Sequence, residues 1–313
     1  MRIIFMGTPE FAVPSLEALL RSDDQVVGVV TQPDRPKGRG HHLAPPPVKL
    51  SAEQAEIPVL QPLKIRTPEF LQALSDWRPD LIVVTAYGRI LHTPILRLPP
   101  MGCVNVHGSL LPKYRGAAPV QWAVINGETE TGITTMLMDE GMDTGPMLLQ
   151  EKLAISPNDT AGTLSSRLAE LGGRLLIDTI VRLKAGTLMP KKQDDGQATL
   201  APLLKKEDGL IDWTSNATAI ADRVRGLSPW PGAYTFFGAE RWNIWKAALN
   251  GGAAVDKPGT IVAVNKQAIV VATGDGLLDI REIQTANSKR MSVGQFLAGH
   301  RVMAGGQLGS SVA

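Results

Sequence analysis

The sequence holds one cysteine, Cys103, so no disulfide can form within the chain, and a reducing compartment is expected. It has no run of about 18 apolar residues, which excludes a transmembrane helix of the usual kind. The opening stretch, Met1 to Glu10, is too short and too soon acidic for a signal peptide. Together these absences predict a cytoplasmic protein with no membrane partner. The glycines of a dinucleotide loop are also missing. Gly7-Thr8-Pro9-Glu10 follows the first apolar run but supplies only the first of three, and Pro9 lacks a backbone donor, so nicotinamide is not expected. No Gly-x-Ser-x-Gly elbow occurs, which disfavours serine hydrolysis. The adjacent pair His41-His42 has no second His or Cys at ligand spacing, so no metal is expected.

What is present is ordinary globular composition, 43% hydrophobic and 20% charged over 313 residues, enough for about two domains. The net charge is +2. Of 32 Lys and Arg, 14 lie in residues 190–313, against 11 of the 30 Asp and Glu, so the later part is mildly basic. That permits contact with a polyanion without requiring one.

Arg2–Met6, Val26–Thr31, Leu81–Tyr87, Cys103–His107 and Gly132–Met138 read as strands, and Phe11–Leu20 and Thr160–Lys184 as helices. Strands alternating with helices predict a Rossmann-like, open and mainly parallel α/β sheet over residues 1–189. Residues 190–207, centred on Lys191-Lys-Gln-Asp-Asp-Gly196, read as a linker. A helix is predicted at Ala217–Gly226. After it the period drops to two, and short strands punctuated by glycine predict a small OB-like β-barrel over residues 208–313. The Gly- and Ser-rich tail after His300 is expected to fray. Residues 31–50 read as a long loop without regular structure.

Asn105 and His107 lie two apart on an apolar strand and therefore share a face near its carboxyl end. An amide donor beside an imidazole suits acyl transfer: the amide polarises a carbonyl oxygen and the imidazole moves or stabilises charge. Two hydrogen-bonded polar residues closing a strand would look the same. Asp139 or Asp143 could orient the histidine, although aspartate is equally a default turn residue.

Arg2-Ile-Ile-Phe-Met-Gly-Thr-Pro9, Thr31-Gln-Pro-Asp-Arg-Pro36 with Gly38-Arg-Gly40, Ala86-Tyr-Gly88, Asn105-Val-His-Gly-Ser-Leu-Leu-Pro112, Arg115-Gly-Ala-Ala-Pro119, Asp143-Thr-Gly145, Ile211-Asp-Trp213 and Pro229-Trp-Pro-Gly232 occur in that order. Together they resemble the methionyl-tRNA formyltransferase family over essentially the whole chain. The Asn-x-His-x-Ser-Leu-Leu-Pro and Asp-Thr-Gly pair marks 10-formyltetrahydrofolate-dependent formyltransferases broadly, so acceptors such as glycinamide ribonucleotide or an amino sugar remain alternatives, as does a non-catalytic RNA-binding protein.

The resemblance implies formyl transfer from 10-formyltetrahydrofolate to the free amino group of initiator methionyl-tRNA, by direct amine attack through a tetrahedral intermediate, in a monomer. It implies catalytic roles for Asn105, His107 and Asp143. Ser109, Leu110, Leu111 and Pro112 would line the reduced folate, with Tyr87, Gly88 and Leu91 nearby. Arg35, Lys37 and Arg39 would meet the tRNA. One departure is Leu200-Ala201, where the family commonly has Tyr-Ala, expected to touch a linker contact and not the chemistry.

Overall fold

The computed structural model describes residues 1–37 and 42–309, in two compact units. The first gathers Met1–Pro119, Glu130–Ala154 and Ser165–Pro202. The second gathers Val120–Thr129, Ile155–Leu164 and the chain from Leu203 onward.

The first unit is built on a seven-stranded sheet. Its order in space is Met147–Ala154, Glu130–Leu137, Cys103–His107, Leu81–Thr85, Arg2–Gly7, Gln25–Val30 and Val59–Leu60. The last five strands pair in parallel, while Glu130–Leu137 runs antiparallel to both of its neighbours. The central strands, Ile-Ile-Phe-Met and Leu-Ile-Val-Val, are buried along their length, as expected for strands covered on both faces. From Arg2–Gly7 the chain passes to Gln25–Val30 on one side and later returns to Leu81–Thr85 on the other. The crevice where strand order reverses therefore opens at Gly7-Thr8-Pro9 and Ala86-Tyr87-Gly88, where open α/β sheets bind ligands.

Thr67 caps the Pro68–Asp76 helix by accepting from the Phe70 N–H at 3.2 Å. The Ala161–Lys184 helix buries Leu164, Leu168, Leu171, Leu175, Leu176 and Ile180.

Three local expectations need correction. The stretch expected to be wholly irregular carries a short antiparallel ladder, Arg35–Lys37 against His42–Ala44, and a helix from Pro47. Proline is compatible with both, on an outward-facing edge and in a first helical turn. The Met147–Ala154 strand was not expected. Its Gln150-Glu151-Lys152 centre is largely exposed on the sheet edge and shows no apolar run. The tail does not fray up to residue 309: Leu308 is buried and Leu308–Gly309 pairs with Ala233–Phe237.

The second unit has an antiparallel sheet in the order Ile261–Val264, Ile269–Ala272, Leu277–Thr285, Glu240–Asn250, Ala233–Phe237 and Leu308–Gly309. Register shifts between Ile244 and Ala247 bend the long strand and curl the sheet into a half-barrel. Trp242, Ile244, Ile280 and Phe296 fill it, and the buried Trp213 indole donates to Thr235 Oγ1 at 3.0 Å. The helix Ala217–Gly226 packs against Glu240–Asn250. No helix among the described residues is long and apolar enough to cross a membrane.

Candidate active site

Asn105 and His107 share a face of Cys103–His107 and are 9% and 5% exposed. Asp143 reaches them by an indirect route. Because Glu130–Leu137 is antiparallel, Leu137 pairs with Val104, and the turn that follows folds back to the two side chains. Asp143 sits at φ +55°. The Asn105 amide Nδ2 donates to Asp143 Oδ1 at 3.3 Å, and His107 Nδ1 lies 3.7 Å from Asp143 Oδ2. The Gly116 N–H donates to Asp143 Oδ2 at 2.8 Å.

His107 Nε2 lies 3.0 Å from the Tyr114 carbonyl oxygen. A carbonyl only accepts, so Nε2 carries the hydrogen and Nδ1 is the nitrogen turned toward Asp143. Asp139 has a different use. Its Oδ1 accepts from the Gly141 N–H at 3.0 Å and the Thr144 hydroxyl at 2.6 Å, which closes the turn.

The Ser109–Pro112 turn is held from inside. The Ser109 hydroxyl donates to the Lys113 carbonyl at 2.6 Å. The buried Thr134 hydroxyl donates to Ser109 O at 2.7 Å and accepts from Leu111 N at 3.1 Å. Leu111 packs with Met136 and Met147, while Leu110 and Pro112 are half-buried.

Tyr87 and Gly88 lie elsewhere. They line a cleft of about 490 Å³ at the strand-order reversal, with Thr8, Gln32, Arg35 and Pro46. None of Ser109–Pro112 lines that cleft. Burial pushes the Tyr87 phenol up to about 12, against the opposing pull of Arg89. Leu91 is in the core with Tyr87, Ile95 and Cys103. Burial also pushes the Cys103 thiol up to about 12, which leaves it a packing residue. Arg35 is exposed at the cleft, Lys37 contributes backbone to the short ladder, and Arg39 lies outside the described residues. Among the described residues no group of three or more His, Cys, Asp or Glu side chains is placed to hold a metal ion.

Sequence reasoning missed Gln193, in the stretch read as a linker. It is 4% exposed, and its amide Nε2 donates to the carbonyls of Asp143 and Gly145, both at 2.8 Å. Its Oε1 accepts from Arg115 Nε at 3.0 Å and Nη2 at 2.9 Å. A glutamine in a polar run carries no periodic signal. Leu200–Ala201 pairs in parallel with Arg115–Gly116. The departure at Leu200 therefore touches the strand whose Gly116 N–H binds Asp143.

The family model described as Formyl transferase matches residues 1–180, and Formyl transferase, C-terminal domain, matches residues 203–301. The methionyl-tRNA formyltransferase of Desulfotalea psychrophila is 55% identical over 302 residues, covering 96% of this chain and 94% of the relative. Among solved structures, methionyl-tRNA formyltransferase from Clostridium thermocellum superposes with a TM-score of 0.56 at 19% identity, over 80% of this chain and 95% of that one. HypX from Aquifex aeolicus in complex with tetrahydrofolic acid gives 0.62 at 17% identity, over 95% of this chain, which spans 47% of HypX. At those identities the two structures speak for the fold. The two matched family models make the chain a formyl transferase, an enzyme that moves a one-carbon acyl group. Within that class, the chain belongs to the methionyl-tRNA formyltransferase family.

Proposed function

We propose that this enzyme transfers a formyl group from 10-formyltetrahydrofolate to the free amino group of initiator methionyl-tRNA, giving the formylated tRNA used to start translation. The observation that carries the chemistry is the meeting of Asn105, His107 and Asp143 on one face. The acceptor rests on full-length similarity to methionyl-tRNA formyltransferases.

These side chains suit amine attack on a formyl carbon without a covalent enzyme intermediate. The Asn105 amide has two N–H groups and spends one on Asp143, so the other suits the formyl oxygen and the oxyanion that develops there. The Asp143 carboxylate, fixed by the Gly116 N–H, accepts the proton that the attacking amine loses, directly or through one water. His107 adds positive charge beside the developing oxyanion when protonated, and Asp143 keeps that proton nearby. The leaving nitrogen of the donor takes a proton as its bond to the formyl carbon breaks.

Ser109, Leu110, Leu111 and Pro112 form one wall of the folate site in this reading, while Tyr87 and Gly88 line the separate cleft at the strand-order reversal and Leu91 packs in the core with Tyr87, so those three are not part of that wall. The buried hydroxyl of Ser109 shapes the turn and does not reach for the ligand. Arg35, Lys37 and Arg39 receive the acceptor end of the tRNA, and the basic region from residue 208 supports its phosphate backbone. Residues 1–189 carry the chemistry, and residues 190–207 connect them to the half-barrel. The enzyme works as a monomer in the cytoplasm.

The test is a formylation assay with charged initiator tRNA and 10-formyltetrahydrofolate, with glycinamide ribonucleotide as a control acceptor. Formylation of the tRNA alone is expected. Preference for the nucleotide, or no transfer to either acceptor, would overturn the reading.

A further inference from the structure

The stretch from Gln193 to Ala201 was expected to be a tether, yet it touches the support of both catalytic partners of Asn105. Three contacts carry the inference, all within the first unit.

The first is Gln193. A primary amide offers two donors and one oxygen that accepts twice. All four are used here: Nε2 donates to Asp143 O and Gly145 O, and Oε1 accepts from Arg115 Nε and Nη2. The site accepts no near-substitute. Glutamate of the same length would keep the Arg115 contact but turn an oxygen toward two carbonyls, and methionine would offer no donor. What Gln193 fixes is the backbone on either side of Thr144, including a non-glycine residue, Asp143, at positive φ.

The second contact is the ladder. Leu200 and Ala201 pair with Arg115 and Gly116, and the Ala118 N–H donates to the Ala201 carbonyl at 3.1 Å. Gly116 is the residue whose N–H holds the Asp143 carboxylate. Asp143 is thus fixed twice by the same stretch, its backbone by Gln193 and its carboxylate through Gly116.

The third is Thr199. Its hydroxyl accepts from the Tyr114 N–H at 2.9 Å, and its carbonyl accepts from the Arg115 N–H at 2.8 Å. Tyr114, at φ +62°, presents the carbonyl that receives His107 Nε2–H. Thr199 therefore sets the orientation of the imidazole through one intervening residue.

We propose that residues 193–201 are a buttress of the active site, with Gln193 a positioning residue for Asp143 and Thr199 a positioning residue for His107. Neither touches substrate in this scheme. Both act by holding the reacting groups to within a fraction of an ångström, and displacement of about 1 Å can cost about 10²-fold in rate. The Asp195 carboxylate, on Arg115 Nη2 at 2.8 Å, is 73% exposed at the solvent end of the network and contributes little to the hold. The inference rests on the formyl-transfer reading above.

The experiment is steady-state formylation of charged initiator tRNA by the full-length parent and by Gln193→Glu, Gln193→Met, Thr199→Val and Thr199→Ser, with both substrates varied. Circular dichroism at the assay temperature gives the folded fraction of each. For Gln193→Glu and Gln193→Met, kcat per folded molecule is expected to fall about ten- to hundredfold, with both KM values within about threefold of the parent. Thr199→Val is expected to lose activity in the same way, with the base limb of its pH–rate profile displaced. Thr199→Ser, which keeps the hydroxyl, is expected to recover most of the rate. Folded Gln193 variants with kcat within twofold of the parent would overturn the buttress, as would losses that follow the folded fraction alone. A parent inactive on charged tRNA would instead overturn the formyl-transfer reading.

Discussion

Gly116 and Ala201 lie too close for any other residue at position 116. A Cβ there would stand 2.7 Å from the Ala201 carbonyl oxygen, and the backbone is at φ +125°. Both facts require glycine. The N–H of this residue binds Asp143, so a shift reaches the site directly. Gly116→Ala is expected to destabilise the protein by about 1–3 kcal/mol through backbone strain alone, with further loss from the close contact. It should also lower kcat beyond the loss of folded protein. Denaturant unfolding and formylation rates on the same sample check both parts.

Asn105→Ala removes the amide proposed to meet the formyl oxygen. Loss of one oxyanion donor costs about 10²–10³ in kcat. The expected result is a loss in that range, with folate binding, followed by absorbance titration, changed little. A folded variant with near-parental turnover would remove Asn105 from the mechanism.

Asn105 and His107 were legible because period two on an apolar strand places alternate residues on one face, whatever lies around them. Asp143 was less legible, since two aspartates stand in one turn and only the fold shows that Asp139 is occupied by Gly141 and Thr144. Gln193 was illegible. Its burial comes from the carbonyls of Asp143 and Gly145, fifty and forty-eight residues earlier in sequence. The parallel core of the first unit followed from its apolar strands. The exposed Met147–Ala154 edge had no such signal, nor did the Leu308 pairing, where one buried side chain sits among glycines.

Thr134→Val tests the turn proposed to line the folate. The change keeps the shape and deletes a buried hydroxyl that serves Ser109 O, Leu111 N and Gln150 Nε2, the last at 2.9 Å. Buried partners left unpaired cost about 1–3 kcal/mol, so a drop of that order in unfolding free energy is expected. The folate dissociation constant should rise as the turn loosens. Unchanged folate binding in a destabilised variant would separate the turn from the ligand.

Asp34 precedes the short ladder and gives a pH-dependent signal. The Gln61 amide at 2.7 Å, then the Lys49 ammonium at 2.9 Å, hold its carboxyl below the ordinary value of 3.8. A lowered carboxyl adds stability above the ordinary value, and that stability is lost as pH falls through the folded-state value. Asp34→Asn should therefore unfold at a slightly lower temperature than the parent at pH 7, and the gap should close below about pH 4. Thermal midpoints of the two proteins from pH 3 to pH 7 give the answer; a gap independent of pH would assign the effect to packing.

The cleft at the strand-order reversal sets the last prediction. Arg35 stands exposed on it, beside Tyr87 and Gly88. A cation there meets tRNA phosphate if the acceptor end enters the cleft, and has little effect on a folate held near Ser109–Pro112. Phosphate contacts release counterions and weaken as salt rises, so affinity for charged tRNA should fall steeply between low and moderate salt while folate affinity changes little. Arg35→Ala should raise KM for charged tRNA and reduce its salt dependence, with folate affinity near the parental value. Lysine should restore only part of the effect if the guanidinium makes a paired contact with phosphate. Arg39→Ala, run in parallel, asks the same of the neighbouring cation. The measurement is tRNA formylation and folate binding for each variant at two salt concentrations. Equal damage to both ligands would indicate a folding defect, and no damage to either would leave the loop outside tRNA recognition.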